Sequence, residues 1–351
     1  MIEFFVGKHV IRNATIADIP FIMDFLDKYW GKGCLLSRDR AYFEYEFVVD
    51  GRVNFVVASH VETGSIDATV GIIQCSKSTP FDGFGVMWVC KPKSGTKLLG
   101  LEVNEHLLRV SGARTIRGVG LNTDKAAKLL SGNFVSANVD KLCHYYRLAN
   151  RNTFLIAEII QKRQVVVDSS KKLIPLPTMH HLRDKFDFKS LPNLPMYKDE
   201  WYIEHRYFNH PYYNFNVWGI ERTPGHITGL LIGRVIHCND SNALRIVDFY
   251  GPNAALRGIG EELDYIMDSN NIEYIDFYCS GIPHIFMQYA GFTLRDDEDQ
   301  NIIPNHFEPY EKKNVDIFYS CYSDEELRFF KGDGDQGRPK RLRLPSEWIM
   351  K

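Results

Sequence analysis

The chain has 351 residues, of which 44% are hydrophobic and 25% are charged, and its formal net charge is -2. This mixture is typical of a soluble globular protein long enough for two domains, and the near-neutral charge argues against a global attraction to nucleic acid or anionic lipid. The N-terminal residues lack the apolar core of a signal peptide, and no apolar run approaches the roughly 20 residues that span a bilayer, so a cytoplasmic location is expected.

Seven cysteines are spread singly along the chain, and no pair has Cys-x-x-Cys spacing. An odd, scattered set predicts reduced thiols in a reducing compartment rather than a disulfide framework. Metal ligands are also sparse. His180-His181 has no partner ligands at motif spacing, and Asp333-Gly-Asp335 lacks the remaining oxygen ligands of a calcium loop. We therefore expect no metal cofactor.

The first part of the chain alternates helical and strand patterns. Thr15 or Asp18 can cap the first helix, whose apolar residues recur at helical spacing. Runs of β-branched and aromatic residues predict the strands that follow. In chain order, the predicted elements are a strand at 10–12, helices at 19–30 and 38–47, strands at 54–59, 68–74 and 85–90, a Gly/Lys-rich turn at 91–97, a helix at 98–110 and a strand at 115–120.

Residues 165–195 differ in composition from the part that precedes them. Four prolines and the polar run Asp168–Lys172 break regular structure there, which predicts a connector. After the connector a similar order of elements returns: strands at 216–221, 229–237 and 244–250, a helix ending near Met267, a strand at 274–279, a helix to Tyr289 and strands around 315–322. The polar, Gly-rich tail at 331–351 is expected on the surface.

One strand–turn–helix unit occurs twice, at Tyr274–Phe292 and, in a looser copy, at Thr115–Phe134. A repeated unit indicates two domains of the same architecture. The domains we infer are 1–164 and 199–330, with the connector at 165–198 and the tail at 331–351. The predicted fold class is α/β (α+β), with a mixed, mainly antiparallel sheet flanked by helices in each domain.

A glycine-bearing turn precedes a predicted helix in each half. It is Lys97-Leu-Leu-Gly100-Leu-Glu102 in the first half and Ala255-Leu-Arg257-Gly258-Ile-Gly260 in the second. With the duplicated unit, these turns resemble the Arg/Gln-x-x-Gly-x-Gly/Ala motif of GNAT-type N-acyltransferases. The chain looks most similar to tandem GNAT proteins encoded among surface-polysaccharide genes, which act on amino sugars carried by nucleotides.

The resemblance implies acetyl-CoA, or another acyl-CoA, as the donor. It also implies a splayed pair of strands that holds the pantetheine arm, and a helix N-terminus that takes the pyrophosphate through its unpaired N–H groups. In the first half the implied cofactor-binding residues lie on a strand, in the following turn and after the next strand: Met87, Trp88, Val89, Gly95, Lys97, Gly100 and Asn122. The alternative set in the second half is Arg257, Gly258 and Gly260.

Acyl transfer to an amine requires that the amine lose its proton, and a base that titrates near neutral pH suits this step. Histidine is the natural candidate. His210 precedes a proline in an aromatic cluster, and His284 lies in the turn after a predicted strand. Asp248 is a carboxylate in an otherwise apolar strand, which favours either a cleft or a paired charge. We expect direct attack without a covalent enzyme intermediate.

The segment from Glu204 to Tyr213 is dense in aromatic residues and hydrogen-bond donors. Aromatic faces stack on sugars and bases, and Arg and Asn side chains bind hydroxyl and phosphate oxygens. This pattern predicts a site for a small-molecule acceptor, taken from the resemblance to be a nucleotide-linked amino sugar. The residues expected to bind it are Arg206, Tyr207, Asn209, Tyr212, Asp276 and Tyr278.

Two alternatives stay open at this point. Both glycine turns depart from the motif, and the tyrosine that GNAT enzymes often place four residues before a Gly-Phe pair is Met287 in the second half. Such losses fit a catalytically inactive partner or scaffold protein. The other alternative keeps the fold and uses aminoacyl-tRNA in cell-wall precursor synthesis. The near-neutral charge argues against it, and strong salt-dependent tRNA binding would support it.

Overall fold

The computed structural model describes residues 2–121, 138–165, 168–188, 196–307, 310–321 and 327–334. Within these ranges the chain forms two large mixed sheets of eight strands each, with two small hairpins beside them. Helices flank the sheets, so the predicted mixed α/β architecture with two sheets is confirmed.

The first part of the chain supplies most of one sheet and the helices on its faces. In chain order its elements are β1 (Glu3–Val6), β2 (His9–Asn13), α1 (Ile19–Tyr29), α2 (Leu35–Arg38), α3 (Arg40–Phe47), β3 (Val48–Val49), β4 (Arg52–Val53), β5 (Phe55–His60), β6 (Ile66–Gln74), β7 (Phe81–Cys90), α4 (Leu99–Ser111) and β8 (Ala113–Val119).

The later part supplies most of the second sheet. Its elements are β9 (Asn138–Lys141), β10 (Cys143–Leu148), β11 (Lys172–Pro175), α5 (Met179–Arg183), α6 (Glu200–Ile203), β12 (Asn216–Thr223), β13 (His226–Cys238), β14 (Ser241–Tyr250), α7 (Gly260–Ser269), β15 (Ile272–Ser280), α8 (His284–Tyr289), β16 (Thr293–Leu294), β17 (His306–Phe307), β18 (Tyr310–Glu311), β19 (Phe318–Cys321) and β20 (Phe329–Phe330). A π-helical turn at Glu204–Phe208 follows α6 directly.

Both sheets contain one parallel pair in an otherwise antiparallel arrangement. The order of the first sheet is β1-β2-β5-β6-β7-β8-β19-β9, with β7 and β8 parallel. The order of the second is β11-β12-β13-β14-β15-β10-β16, with β14 and β15 parallel and β20 also paired to β15. In each sheet a helix, α4 or α7, connects the two parallel strands, as a crossover requires.

The two sheets exchange strands, so the inferred boundaries 1–164 and 199–330 do not coincide with them. β10 lies within the first inferred domain but pairs with β15 in the second sheet. β19 lies within the second inferred domain but pairs with β8 and β9 in the first sheet. Strand pairing joins segments that are far apart in sequence, and periodicity within a segment does not reveal its partner.

The connector and the tail also differ from their predicted forms. The connector at 165–198 contains β11, which forms the edge of the second sheet, and α5. The first residues of the tail at 331–351 are buried rather than exposed, because Lys331–Asp333 form a 3-10 turn between the sheets. The remainder of the tail, 335–351, lies outside the described residues.

The hydrophobic core is shared between the two halves. One face of the first sheet packs on α4, through residues such as Val70 and Val103. The other face joins a cluster that also includes Tyr202 and Leu230 from the later part of the chain. The interior between the sheets is therefore continuous, and side chains buried there belong to both halves.

Candidate functional site

Strands β7 and β8 separate towards their carboxyl ends. Their parallel pairing runs from Phe81 opposite Ala113 to Phe84 opposite Arg117, and β7 then continues unpaired with β8 as far as Cys90. A β-bulge lies in this stretch, because Met87 and Trp88 together face the single residue Val70 on β6. Met87 has a positive φ of 52°, which is uncommon for a residue with a side chain. The bulge and the separation leave a gap at this edge of the sheet.

The chain leaves β7 through a loop, 91–98, that leads into α4. Leu98 stands at the start of the helix in the left-handed conformation and provides no side-chain cap. The Trp88 indole Nε1 donates to the Gly100 carbonyl over 2.8 Å, which holds the start of α4 against β7. The two elements pack closely at Gly100, where a Cβ would lie 3.2 Å from the Cys90 Cβ. The Leu101 and Glu102 N–H groups of this first turn donate to the Leu98 carbonyl over 2.8 and 3.1 Å, and the positive end of the α4 dipole lies at the loop.

A cavity of about 680 Å³ opens at this loop. It is lined by the end of β7, the loop and the first turn of α4: Trp88, Cys90, Lys91, Lys93, Ser94, Gly95, Thr96, Lys97, Leu98, Leu99, Gly100 and Leu101. Lys93 and Lys97 are exposed and form no ion pair with a described residue. Gly95 has a φ of 83° and no heavy atom near the position of a Cβ. Two lysine charges, a glycine with open space around it and the N-terminus of α4 therefore lie together at this cavity.

Polar contacts behind the loop hold its shape. His9 is fully buried, with Nε2 3.0 Å from the Asp67 carboxylate and Nδ1 2.9 Å from the Thr96 hydroxyl. The Lys91 ammonium also lies 3.0 Å from Asp67. Burial works to raise the pKa of the Asp67 carboxyl, but the hydrogen bonds from His9 and Lys91 bring it below its usual value. Asp67 thus stays charged and ties the loop to β2 and β6.

The structure places the expected cofactor-binding residues of the first half as follows. Trp88, Gly95, Lys97 and Gly100 line the cavity, and Met87 forms the bulge. Val89 is buried in the part of β7 that pairs with β6 but not with β8. Asn122 lies outside the described residues. Sequence reasoning did not single out Cys90, whose exposed thiol also lines the cavity.

The corresponding gap in the second sheet is filled. β14 and β15 pair as far as Ile246 opposite Phe277 and then separate. β20 enters this gap and pairs with β15, with Phe330 opposite Cys279. We refer to residues Leu327–Gly334, which include β20, as the strap. The strap also contacts β14, because a Cβ on Gly332 would lie 2.7 Å from the Val247 carbonyl oxygen.

The glycine turn of the second half is covered as well. The Gly258 carbonyl accepts hydrogen bonds from the N–H groups of Ser170 and Lys171, and the Gly260 N–H donates to the Asp168 carbonyl. The Arg257 guanidinium lies 3.1 Å from the Asp168 carboxylate. The alternative cofactor-binding residues Arg257, Gly258 and Gly260 are thus engaged by the chain's own connector.

The aromatic segment 204–213 lies at the seam between the halves, packed against α3. The buried Arg206 guanidinium lies 3.3 Å from the Glu46 carboxylate and donates to the Gly332 carbonyl over 2.9 Å. The Tyr207 hydroxyl donates to Asp248. Arg206 therefore links the two halves, Tyr207 is bound to β14, and both side chains are buried rather than presented on an open surface.

His210 is buried in the same seam. Its Nδ1 accepts from the backbone N–H groups of Tyr212 and Tyr213 over 3.1 and 2.9 Å, so the neutral ring carries its proton on Nε2. Burial lowers the pKa of His210 to about 3, although Glu46 opposes this shift. The Nδ1 lone pair, which would have to accept a proton, is therefore engaged by the backbone. This arrangement does not favour the expected role of His210 as a general base.

Asp248 belongs to a buried cluster of three charges. The Lys198 ammonium lies 2.7 Å from Asp248 and also contacts Asp333, and all three side chains are almost inaccessible. Burial raises the pKa of Asp333 to about 6, although Lys198 acts in the opposite direction. A lone acid in an apolar strand did call for a cation, but nothing in the sequence identified Lys198 or Asp333 as its partners.

The other expected site residues are dispersed. Asp276 is buried 3.3 Å from the Arg245 guanidinium, and the Tyr278 hydroxyl donates to the Val315 carbonyl over 2.9 Å. The Tyr212 hydroxyl contacts the Asp39 carboxylate that caps α3. Two expected residues are exposed, namely Asn209 and His284. His210, His284, Asp248 and the six expected acceptor-binding residues all lie outside the lining of the cavity beside α4.

Comparison with solved structures identifies the fold. A GCN5-related N-acetyltransferase from Anabaena variabilis ATCC 29413 matches with a TM-score of 0.50 and 12% identity, covering 88% of this chain and 71% of that one. A conserved protein from Enterococcus faecalis V583, described as a probable N-acyltransferase, matches with a TM-score of 0.51 and 9% identity, covering 89% and 72%. No family model and no curated protein matches the sequence. At these identities the likeness shows the GNAT fold.

Two further observations concern the described residues. None of their helices is long and apolar enough to cross a membrane. They also contain no group of three or more His, Cys, Asp or Glu side chains placed to hold a metal ion.

Proposed function

We propose that this protein transfers an acetyl group from acetyl-CoA to the amine of a nucleotide-linked amino sugar, with the thioester bound in the first half. One observation carries the proposal: the gap beside β7 and the loop before α4 form an open, positively charged cavity on a GNAT fold. The corresponding features of the second half are filled by the chain itself. One half is thus built to receive a ligand.

The residues around this cavity fit the donor. Lys93 and Lys97 supply charge for phosphate groups, and the start of α4 supplies the positive end of the helix dipole. Gly95 allows the loop backbone to approach a ligand closely. The pantetheine arm would extend from here into the gap between β7 and β8.

The chain's contribution to the chemistry is mainly positioning. Acetyl-CoA supplies an activated acyl group as a thioester. Beyond Phe84 the edge of β7 that faces the gap is not paired with β8, so backbone N–H groups there can polarise a carbonyl. A free amine held beside that carbonyl attacks it directly, which requires no nucleophilic side chain.

The acceptor class rests on the sequence resemblance to tandem GNAT proteins of surface-polysaccharide genes. The seam residues Arg206 and Tyr207 support the framework of the second half. Asn209 in the same segment is exposed and could contact an acceptor, and Tyr212 nearby is half-buried. Transfer assays with nucleotide-linked amino sugars, compared with the same sugars without the nucleotide, test this part of the proposal.

Donor binding is tested by protection of Cys90 from alkylation. Acetyl-CoA has no free thiol, so it can be present while N-ethylmaleimide labels the protein and peptides are measured by mass spectrometry. Because Cys90 is exposed and lines the cavity, we expect acetyl-CoA to slow its labelling severalfold, at least at concentrations well above the dissociation constant. Cys143, exposed at the start of β10, should label at an unchanged rate.

Substitution of Gly100 tests whether the protection of Cys90 comes from acetyl-CoA bound in the cavity beside α4. Gly100→Asp places a side chain against Cys90 and adds negative charge at the start of α4, so protection of Cys90 and acetyl transfer should both be lost. Gly31→Asp adds the same charge outside the cavity lining, at a position where a Cβ would meet only an ordinary 3.7 Å contact, and should bind acetyl-CoA as the wild type does. Equal labelling of Cys90 with and without acetyl-CoA, together with no turnover, would refute the proposal and favour the scaffold alternative.

A further inference from the structure

The strap occupies the position in the second half that corresponds to the open gap in the first. In both sheets the parallel pair separates after a few residues, beside the loop that leads into the crossover helix. In the first sheet the bulged end of β7 borders an open cavity. In the second sheet, β20 pairs with Cys279 and Ser280 on the side of β15 that β14 has left.

Several independent contacts hold the strap in this gap. Asp333 forms a buried ion pair with Lys198, and its other oxygen accepts from the Phe330 N–H over 2.8 Å. The buried Arg206 donates to the Gly332 carbonyl. Because these groups are removed from water, withdrawing the strap would leave Lys198 and Arg206 with fewer partners in a buried site.

The strap also contacts the start of the segment that leads from β14 to α7. The Arg328 guanidinium donates to the Gly251 carbonyl over 2.6 Å, at the end of β14. A Cβ on Gly281 would lie 1.8 Å from the Leu327 carbonyl oxygen, so the strap fits closely against the end of β15. The glycine turn farther along this segment, at 255–260, is covered by Asp168–Lys171 of the connector. The strap therefore closes the gap, and the connector covers the glycine turn.

We infer that the strap is a permanent intramolecular occupant of the second donor position, so that each chain binds one thioester donor, in the first half. This inference rests on the proposed function for the identity of the donor. A donor entering the second half would have to displace strand pairing and two buried cationic contacts. Its apparent affinity would equal its intrinsic affinity multiplied by the small fraction of molecules in which the strap is open.

The test uses the full-length chain and acetyl-CoA in a calorimetric titration, with two matched charge reversals. Lys97 and Arg257 are exposed residues of the corresponding loops. We expect one donor per chain, roughly tenfold weaker binding for Lys97→Glu because an attractive charge becomes repulsive, and unchanged binding for Arg257→Glu. Two donors per chain, or weakening by Arg257→Glu without weakening by Lys97→Glu, would overturn the inference.

Labelling of Cys279 reports on the strap itself. Cys279 is buried opposite Phe330, so N-ethylmaleimide should label it far more slowly than Cys143, with or without acetyl-CoA. Gly332→Val forces a side chain against the Val247 carbonyl and should increase Cys279 labelling at least about tenfold.

The outcomes distinguish the two proposals. If no acetyl-CoA binds, the proposed function fails, and Cys279 still decides whether the strap fills the gap. If Cys279 labels as fast as Cys143 in the wild type, or if acetyl-CoA accelerates its labelling, the strap is not a permanent occupant.

Discussion

At the scale of single residues, the cluster of Lys198, Asp248 and Asp333 is the feature with the largest electrostatic consequence. The three side chains come from the connector, from β14 and from the strap, and they meet in the continuous core between the sheets. Asp248 and Asp333 raise the pKa of Lys198 although burial opposes its charge, so Lys198 remains an ammonium. One cation is shared by two carboxylates, and Asp333 is the carboxylate whose ionisation is disfavoured.

Asp333 should give the folding stability a distinctive pH dependence. Burial raises its pKa in the folded chain to about 6 from the usual 3.8, so the folded state holds a proton that the unfolded state releases between pH 4 and 6. The stabilisation from this proton is complete below the unfolded pKa and is lost as the pH rises through the folded pKa. The free energy of unfolding of the wild type, compared with that of Asp333→Asn, should therefore fall as the pH rises from 4 to 6. The expected slope is up to about 1.4 kcal/mol per pH unit.

Urea denaturation of both proteins at several pH values measures this difference. Asp268→Asn, which changes an exposed carboxylate of α7, serves as the control and should leave the wild-type slope unchanged. A constant difference between wild type and Asp333→Asn from pH 4 to 6 would show that Asp333 titrates alike in the folded and unfolded chains.

At the scale of elements, the local patterns were sufficient to predict most strands and helices but not their partners. The runs that predicted strands at 68–74, 85–90 and 274–279 fall within β6, β7 and β15. Their β-branched and aromatic residues act locally, through burial on a pleated surface. The pairing of β19 with β8 depends on contacts between residues about 200 positions apart, which no local pattern encodes.

The site was predictable to a similar extent. Glycines, lysines and a strand before a helix indicated the cavity beside α4 because each property belongs to a short segment. The roles of Arg206 and His210 were not predictable, since an aromatic segment rich in donors can bind a ligand or crosslink a core equally well. Their burial against Glu46, some 160 residues earlier, decided between the two.

The pairing of β8 with β19 is tested at Gly118. A Cβ at this position would lie 2.9 Å from the Ser320 hydroxyl on the neighbouring strand. Gly118→Val should therefore destabilise the chain by about 1–3 kcal/mol through overpacking. Adding Ser320→Ala removes the opposing oxygen and should restore part of the loss, as measured by thermal or urea unfolding. Strictly additive effects of the two substitutions would indicate that these side chains do not meet.

At the scale of the whole molecule, the exchange of β10 and β19 makes each sheet depend on both halves of the chain. β10 contributes His144, Tyr145, Tyr146 and Arg147 to the interior of the second sheet, and all four are almost completely buried. β19 lies between β8 and β9 within the first sheet rather than at its edge. Neither sheet is complete within a fragment cut at the inferred domain boundary.

Fragments 1–164 and 165–351 should therefore fail to fold separately and should associate when refolded together. We expect each fragment on its own to lack a cooperative thermal transition by circular dichroism, because a missing interior strand leaves unpaired backbone and exposed core. The mixture should regain a single transition and elute as one species in gel filtration. A cooperative, monomeric 1–164 fragment would contradict the structural interdependence.

The placement of β19 also imposes an order of events during biosynthesis. β8 emerges from the ribosome roughly 200 residues before β19, which at usual elongation rates is a delay on the order of ten seconds or more. Throughout that delay one margin of the nascent first sheet exposes backbone groups that another polypeptide could pair with. Synthesis of β19 and β20 then closes that margin and the gap of the second sheet in quick succession, so the nascent chain is exposed to aggregation until these two strands emerge.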